Sequence, residues 1–238
     1  MTDLQLQICI DKAPTVLVNA STEQQSDSVL AWELSRTYQN VRHIRLEHVL
    51  QYLTTMEADT MLLDVFNTLQ IGGTVEILCE DFDAVVLQWQ NAVWDEDSIR
   101  RPDSDARQAF ARLFGPQKHG NPTQTTYDSG YPDTFKSAYN SARLHFLLER
   151  AGFTQVAVKP TAAGLVGQGL KTMQRGERQI ANSLAGIRPD HINRYTFAKD
   201  QLIPQQPSAV LDLACGIGYG SALLADTLKC RVVGVEID

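Results

Sequence analysis

The hydrophobic pattern of this chain switches between the two-residue period of strands and the 3.6-residue period of helices. Strands are predicted within 13–19 (around Val16–Val18), at the start of Val41–Leu53, and at Thr74–Cys79, Thr154–Lys159, Ala209–Leu213 and Arg231–Ile237. Helices are predicted at Asp27–Tyr38, at the end of Val41–Leu53, and at Met56–Leu69, Ala84–Val93, Ala106–Phe114, Ser137–Arg150, His191–Leu202 and Tyr219–Leu228. Alternating strands and helices indicate an α/β fold with a largely parallel sheet and helices on both faces.

Glycine and proline mark the predicted breaks in this pattern. Gly72-Gly73 predicts a helix C-cap or turn, and Gly115–Pro132 predicts a loop. Thr161–Gly176 has several glycines and few large apolar residues, which favours a linker. We therefore expect one domain over residues 1–160, a linker over 161–185 and a second domain over 186–238. The second has only a strand, a helix and a strand after its first helix, too little to close a sheet, so we expect it to be truncated.

Composition and charge narrow the function classes. The 238 residues are 43% hydrophobic, with 21 basic and 28 acidic residues and a net charge of −7. An acidic chain disfavours nucleic acid as a partner, because such binding depends on basic side chains that neutralise phosphate. The sequence shows neither a secretory signal nor a membrane-spanning apolar run. Its four cysteines are scattered without metal-ligand spacing, so no metal is expected, and a reduced cytoplasmic protein is the economical interpretation.

A glycine-rich turn after the strand Ala209–Leu213 is the clearest chemical signal. It reads Asp212-x-x-x-Gly216-x-Gly218-x-Gly220, and glycines there allow positive φ and close backbone approach to a ligand. Ser221 occupies the third glycine position of the dinucleotide fingerprint. That departure, with an acidic residue before the turn, favours a ligand with a cationic amino-acid moiety over a pyrophosphate. Glu236 ends the next strand, where a carboxylate can accept hydrogen bonds from both hydroxyls of a ribose.

Asp212–Gly220 and Val232–Glu236 together resemble the first and second motifs of class I S-adenosylmethionine-dependent methyltransferases of the type 11/12 kind. The upstream segment Asn193–Ala198 also resembles the "RY-x-FA" lead-in of one methyltransferase subgroup. The resemblance implies a Rossmann-like fold and S-adenosylmethionine (SAM) as the cofactor. It implies that the cofactor-binding residues are Asp212, Ala214, Cys215, Gly216, Gly218, Gly220, Glu236 and Ile237.

Within that set the resemblance implies distinct roles. Gly216 and Gly218 would line the methionine part of the cofactor, Asp212 would orient it, and Glu236 would bind the ribose. Cys215 is interpreted as a packing residue and not as a nucleophile. The implied reaction is an in-line transfer of the sulfonium methyl group to a small-molecule or sugar-type acceptor, and it depends mainly on positioning. The catalytic base is not identified by the sequence.

The first half resembles the back half of the same family through weaker motifs. The segments that carry this resemblance are Leu46–Leu53, Leu63–Ile77, Asp81–Ala84, Phe114–Gln117 and Leu144–Phe153. After Val16–Val18 the chain continues with 19–22, which contains no glycine, so a degenerate copy that has lost SAM binding is expected. His48 is then interpreted as a structural histidine. His119 and Tyr127 lie in the polar loop, solvated or facing a substrate.

Three arrangements fit these motifs. In the first, a degenerate methyltransferase-like domain precedes the incomplete front of an intact one. In the second, residues 186–238 and 1–160 form a single permuted sheet with one cofactor site. In the third, the chain is a non-catalytic scaffold or interaction module. A homo-oligomer or a missing C-terminal segment is expected, because truncation would expose strand edges.

Overall fold

The structure is a computed structural model that describes residues 4–21, 26–173, 184 and 187–236. The chain divides into two compact units, Met1–Lys171 and Thr172–Asp238, which we call the first and second units and describe separately. Both units contain parallel neighbouring strands that are joined through helices, which confirms the α/β class.

The first unit is built on a seven-stranded sheet. Its strands are β1 (Gln5–Ile10), β2 (Thr15–Ala20), β3 (Asp27–Leu30), β4 (Val41–Glu47), β5 (Leu69–Cys79), β6 (Thr154–Thr161) and β7 (Gly164–Leu170). Their order across the sheet is β3-β2-β1-β4-β5-β7-β6. The central pairs β1–β4 and β4–β5 are parallel, and β2 and β7 run opposite to the other five strands. The order β3-β2-β1-β4-β5 is that of the doubly wound dinucleotide-binding fold.

Helices flank this sheet. They are α1 (Leu34–Thr37), α2 (Thr55–Thr68), α3 (Phe82–Asn91), α4 (Glu96–Arg100), α5 (Asp105–Phe114) and α6 (Ser141–Ala151). Helix α2 begins with a capping box, in which Thr54 accepts from the Glu57 N–H and the Glu57 carboxylate accepts from the Thr54 N–H. Its inner face buries Met61, Leu62 and Val65 in the core. Helices α2, α3, α5 and α6 lie at or near their predicted ranges because apolar spacing is a local signal, whereas α4 falls where no element was predicted.

The N-terminal part of the first unit differs from the prediction. Gln5–Ile10, which was not predicted as a strand, forms β1 and lies between β2 and β4. The helix predicted over Asp27–Tyr38 is wrong, since this segment forms the edge strand β3 followed by the single turn α1. Strand β3 pairs with β2 at four positions, and this pairing outweighs the weak helical spacing. The first three strands are therefore joined by hairpins instead of helical crossovers.

The linker predicted from residue 161 is also wrong over residues 164–170, which form β7 between β5 and β6. A Cβ at Gly167 would lie 2.8 Å from Leu144 Cδ2, and one at Gly169 would lie 2.8 Å from Phe153 Cβ. The glycines that made the segment look like a linker are what allow α6 and Phe153, two residues after it, to lie close against the strand. Gly72-Gly73 is likewise not a break, because it lies within β5 beside a register shift against β4.

The described part of the second unit is a β-α-β unit preceded by a helix. Helix α7 (Pro189–Leu202) leads through a 3-10 turn at Ile203–Gln205 into β8 (Ala209–Leu213), α8 (Tyr219–Leu228) and β9 (Arg231–Val235). Strands β8 and β9 are parallel, with Ala209 opposite Arg231 and Leu213 opposite Val235. These elements match the sequence prediction closely, because the glycine turn and the apolar strands are both local signals.

Candidate functional site

The turn between β8 and α8 is held in a conformation with three left-handed residues. Ala214, Gly216 and Gly218 have φ of 61°, 56° and 85°. The N–H groups of Ala214 and Cys215 both donate to the Val235 carbonyl, at 2.8 and 3.2 Å. These hydrogen bonds hold the turn against the C-terminal end of β9. A left-handed alanine is uncommon, and these two hydrogen bonds offset its cost.

The glycines of the turn fall into two kinds. A Cβ built on Gly216 or Gly218 would meet no atom within 4 Å, so the backbone there faces open space. A Cβ on Gly220 would collide with the Tyr195 ring, so Gly220 permits close packing of α7 against α8. Gly216 and Gly218 therefore leave room for a ligand next to main-chain groups. Gly220 fixes the position of α8 against α7.

Asp212 is anchored from two sides. Its Oδ2 accepts from the Ser221 hydroxyl at 2.6 Å, and its two oxygens lie 3.3 and 3.2 Å from the Tyr195 hydroxyl, which donates to them. Burial and the charge of Asp212 raise the pKa of Tyr195 to about 12, so the phenol remains a donor at neutral pH. These hydrogen bonds fix the Asp212 carboxylate, which keeps lone pairs that can accept from a further donor.

Two residues that support the site were not among the predicted site residues. Tyr195 is the tyrosine of the "RY-x-FA" segment, and its ring meets that of Tyr219 edge-on at 5.5 Å. The Tyr219 hydroxyl in turn lies 3.3 Å from His191 Nδ1. Ser221 was noted only as a departure from the dinucleotide fingerprint, yet its hydroxyl holds Asp212. The motif identified these positions, but only the fold showed what they contact.

Glu236 follows β9 and is exposed beside the turn. Its Oε2 accepts from the Gly216 N–H at 2.5 Å, which joins the two predicted cofactor-binding segments directly. The carboxylates of Asp212 and Glu236 therefore flank one glycine turn at the carboxyl ends of adjacent parallel strands, where α/β folds bind their ligands. The remaining predicted residue, Ile237, lies outside the described residues.

Cys215 packs between the turn and β9. A Cβ on Gly234 would lie 2.7 Å from Cys215 Sγ and 2.9 Å from Ser221 Oγ, so Gly234 makes room for both side chains. Cys215 is half-buried, and its thiol donates to the Gly216 carbonyl at 3.7 Å. The packing role of Cys215 stays a prediction.

The first unit places its candidate residues differently. The strand next to β4 is β1, so the turn to compare with the glycine turn is 11–14 and not the 19–22 segment used in the sequence analysis. This turn contains no glycine either. His48 is half-buried just after β4. Its ring Nδ1 lies 3.2 Å from Gln51 Nε2, and its main-chain N–H donates to the Leu78 carbonyl. Those contacts fit the structural role predicted for His48.

His119 and Tyr127 are brought together in the wall of one cleft of about 670 Å³ in the first unit. Among the described residues, no group of three or more His, Cys, Asp or Glu side chains is arranged to hold a metal ion. None of the described helices is long and apolar enough to cross a bilayer.

Comparison with known proteins gives distant structural likenesses only. No protein-family model matches the chain. No curated protein matches it either. Human N-acetylserotonin methyltransferase, solved with SAM, aligns with 56% of this chain and 30% of its own length at 18% identity and a TM-score of 0.33.

Two further solved structures align to a similar extent. A SAM-dependent methyltransferase of Methanosarcina mazei aligns with 58% of this chain and 63% of its own at 12% identity and a TM-score of 0.36. A possible exported protein of Bordetella parapertussis aligns with 59% and 42% at 16% identity and a TM-score of 0.37. The match spans less than two thirds of each of these three chains. Likenesses at this level assign neither an activity nor a ligand.

Proposed function

We propose that the second unit binds SAM. We propose further that this chain is a SAM-dependent methyltransferase, or a fragment of one, that transfers a methyl group to a small-molecule or sugar-type acceptor. The observation that carries the proposal is the open glycine turn between β8 and α8 with a carboxylate on either side of it. Gly216 and Gly218 leave the main chain uncovered, and Asp212 and Glu236 stand at the ends of two adjacent parallel strands.

The residues of this turn fit the parts of the cofactor. SAM, when bound, supplies an electrophilic methyl group on a sulfonium centre. The uncovered backbone at Gly216 and Gly218 would accommodate its methionine part, and Asp212, held by Ser221 and Tyr195, would orient the cationic amino group. Glu236 would exchange its hydrogen bond to the Gly216 N–H for the ribose hydroxyls. The protein's contribution to the rate would come from positioning the two reactants.

For the first unit we propose a methyltransferase-like fold that has lost its own cofactor turn. The strand order β3-β2-β1-β4-β5 supports a nucleotide-binding ancestry. The hairpins that join β1, β2 and β3 replace the helical crossovers that such a fold uses, and the turn after β1 contains no glycine. Both features argue that cofactor binding belongs to the second unit.

A non-catalytic interaction module is the second candidate. One face of the β8–β9 pair carries exposed apolar side chains, Leu211 at 60%, Leu213 at 69% and Val235 at 45%. Large exposed apolar surfaces are typical of interaction sites. Under this hypothesis the glycine turn would be a relic that binds nothing.

Isothermal titration calorimetry of the full chain with SAM and with S-adenosylhomocysteine tests the proposal. We expect binding by the wild type, loss in Gly216→Val because the side chain fills the open space, and at least about tenfold weakening in Glu236→Ala, since a charged hydrogen-bond partner contributes about 1.5–3 kcal/mol.

Asp226→Asn is the matched control, because Asp226 is an exposed carboxylate on α8 outside the turn. It should bind like the wild type. If the folded wild type binds neither compound, cofactor binding is refuted and the interaction module is favoured. Equal weakening in Asp226→Asn and Glu236→Ala would show a general charge effect and refute the ribose role of Glu236.

A further inference from the structure

The first unit contains a cleft at the place where its strand order reverses. Strand β1 has β2 on one side and β4 on the other. The cleft opens beyond the carboxyl ends of β1 and β4, which are parallel. Its walls are Ile10 and the turn after β1, Tyr52 just beyond β4, and the loop 116–133. Crevices at such switch points are the usual ligand sites of open α/β sheets. The volume of about 670 Å³ is in the range of small-molecule sites.

Specific contacts shape the walls of the cleft. The Lys12 ammonium pairs with Asp128 Oδ2 at 2.9 Å, which ties the turn after β1 to the loop. Within the loop, the Asp128 N–H donates to the His119 carbonyl at 3.0 Å, and the Lys118 N–H donates to the Asp133 carboxylate. The long loop is therefore a built wall and not a loose connection.

The polar groups of the cleft are mixed in kind. They comprise three carboxylates, two ammonium groups, one imidazole and three small hydroxyls, from Asp11, Asp128, Asp133, Lys12, Lys118, His119, Thr125, Thr126 and Ser129. A ligand of strong net charge calls for an excess of one sign, and this lining has nearly balanced charges. Interleaved donors and acceptors instead match a ligand whose every polar group both donates and accepts, which is the property of a hydroxyl.

Aromatic rings complete the lining. Tyr52 is half-buried, with its ring edge-on to Phe135 at a centroid distance of 4.8 Å, and Tyr127 is 40% exposed. Tyrosine offers a flat apolar face together with a polar hydroxyl. Rings of this kind suit the C–H faces of a sugar, while the surrounding carboxylates and hydroxyls suit its O–H groups.

We propose that this cleft of the first unit binds an uncharged sugar. Tyr52 and Tyr127 would contact the ring of the sugar, and the side chains of Asp11 and Asp133 would accept from its hydroxyls. The lining of the cleft lies wholly within the first unit and includes no residue of the proposed cofactor site.

Saturation-transfer NMR on the full chain tests the site, with glucose, galactose and methyl α-glucopyranoside as probes at millimolar concentration. We expect transfer to the ring protons of at least one sugar. Tyr127→Ala should weaken the binding at least about tenfold, the loss of roughly 1.4 kcal/mol of ring contact. Phe146→Ala is the matched control: Phe146 is an aromatic residue on α6 outside the described lining, and its side chain is exposed, 56% against 40% for Tyr127.

The outcomes separate cleanly. Binding by the wild type and by Phe146→Ala, with loss in Tyr127→Ala, supports the proposal. Absence of transfer to all three sugars, or equal binding by both variants, overturns it. If inorganic phosphate or spermidine binds the cleft and the sugars do not, the site is one for charged ligands and the proposal is wrong. A chain that fails to bind SAM but binds sugar refutes the proposed cofactor site alone.

Discussion

Lys171 connects two elements of the first unit through buried hydrogen bonds. Its side chain is fully buried, and Nζ donates to the carbonyls of Phe66 at 2.7 Å and Leu69 at 2.6 Å. These are carbonyls at and just beyond the C-terminus of α2, where a cation also meets the negative end of the helix dipole. The ammonium lies 4.8 Å from the centroid of the Phe66 ring. Lys171 thereby joins the end of β7 to α2.

Replacing Lys171 tests this connection. We expect Lys171→Met to lower the free energy of unfolding of the first unit by about 2 to 4 kcal/mol, since each buried carbonyl left without a donor costs about 1–3 kcal/mol. Urea denaturation followed by circular dichroism measures the change. Lys159→Met, at an exposed lysine on β6, is the control and should stay within about 0.5 kcal/mol of the wild type. Similar values for the two variants would show that the buried bonds contribute nothing.

The same lysine predicts a pH dependence. Burial lowers the pKa of Lys171 to about 8, whereas an unfolded lysine titrates near about 10.4. Between these pH values the unfolded chain binds more protons than the native one, so the free energy of unfolding rises with pH across the window. The stability of the wild type relative to Lys171→Met should therefore increase from about pH 8 to about pH 10. A difference that is constant or falls over this range would contradict the lowered pKa.

At the scale of the element, glycines have opposite meanings in the two units. The glycines of β7 look like those of a linker because a sequence does not show what lies above a strand. The structure places Leu144 and Phe153 against them. In the second unit the opposite holds, since Gly216 and Gly218 face open space and their positive φ is a local requirement that the sequence does show.

A substitution in β7 distinguishes a packed strand from a linker. Gly167→Val should destabilise the first unit by about 1–3 kcal/mol, because a Cβ there would lie 2.8 Å from Leu144 Cδ2. In the Leu144→Ala background the added side chain would fill the vacated space, so the double variant should lose less than the sum of the single losses. Thermal unfolding of the full chain measures each cost.

Gln168→Val is the control for this experiment. Gln168 neighbours Gly167 in β7, but its side chain is exposed and donates to Glu76 at 2.8 Å. Its loss should change stability by about 0.5 kcal/mol or less. Equal tolerance of valine at both positions would mean that residues 164–170 do not pack as β7.

For the whole molecule, the distribution of buried apolar side chains separates the two units. The main apolar cluster runs from Leu6 to Leu165 and lies entirely in the first unit. In the described part of the second unit the buried apolar side chains are Ile187 and Leu224. A two-stranded sheet with so small a core is marginal in water, whereas seven strands covered by helices are not.

This difference predicts the behaviour of separate fragments. Residues 1–171 should fold with a cooperative thermal transition, and residues 172–238 should show weak, non-cooperative structure by circular dichroism and poorly dispersed amide NMR signals. The physical reason is the small apolar area that the second fragment buries. A cooperative transition in the isolated 172–238 fragment, or none in 1–171, would contradict the prediction.

The sequence by itself determined the parts of this protein that depend on neighbours along the chain. It located most of the helices through apolar spacing, and it located the turn after β8 together with Asp212 and Glu236, because glycines and carboxylates act there within a single β-α-β unit. Only the tertiary structure decided that Gln5–Ile10 forms a strand beside β4, that residues 164–170 form β7, and that Tyr195 and Ser221 hold Asp212. The cleft of the first unit was likewise decided by the fold, because it joins segments more than a hundred residues apart whose pairing no local pattern encodes.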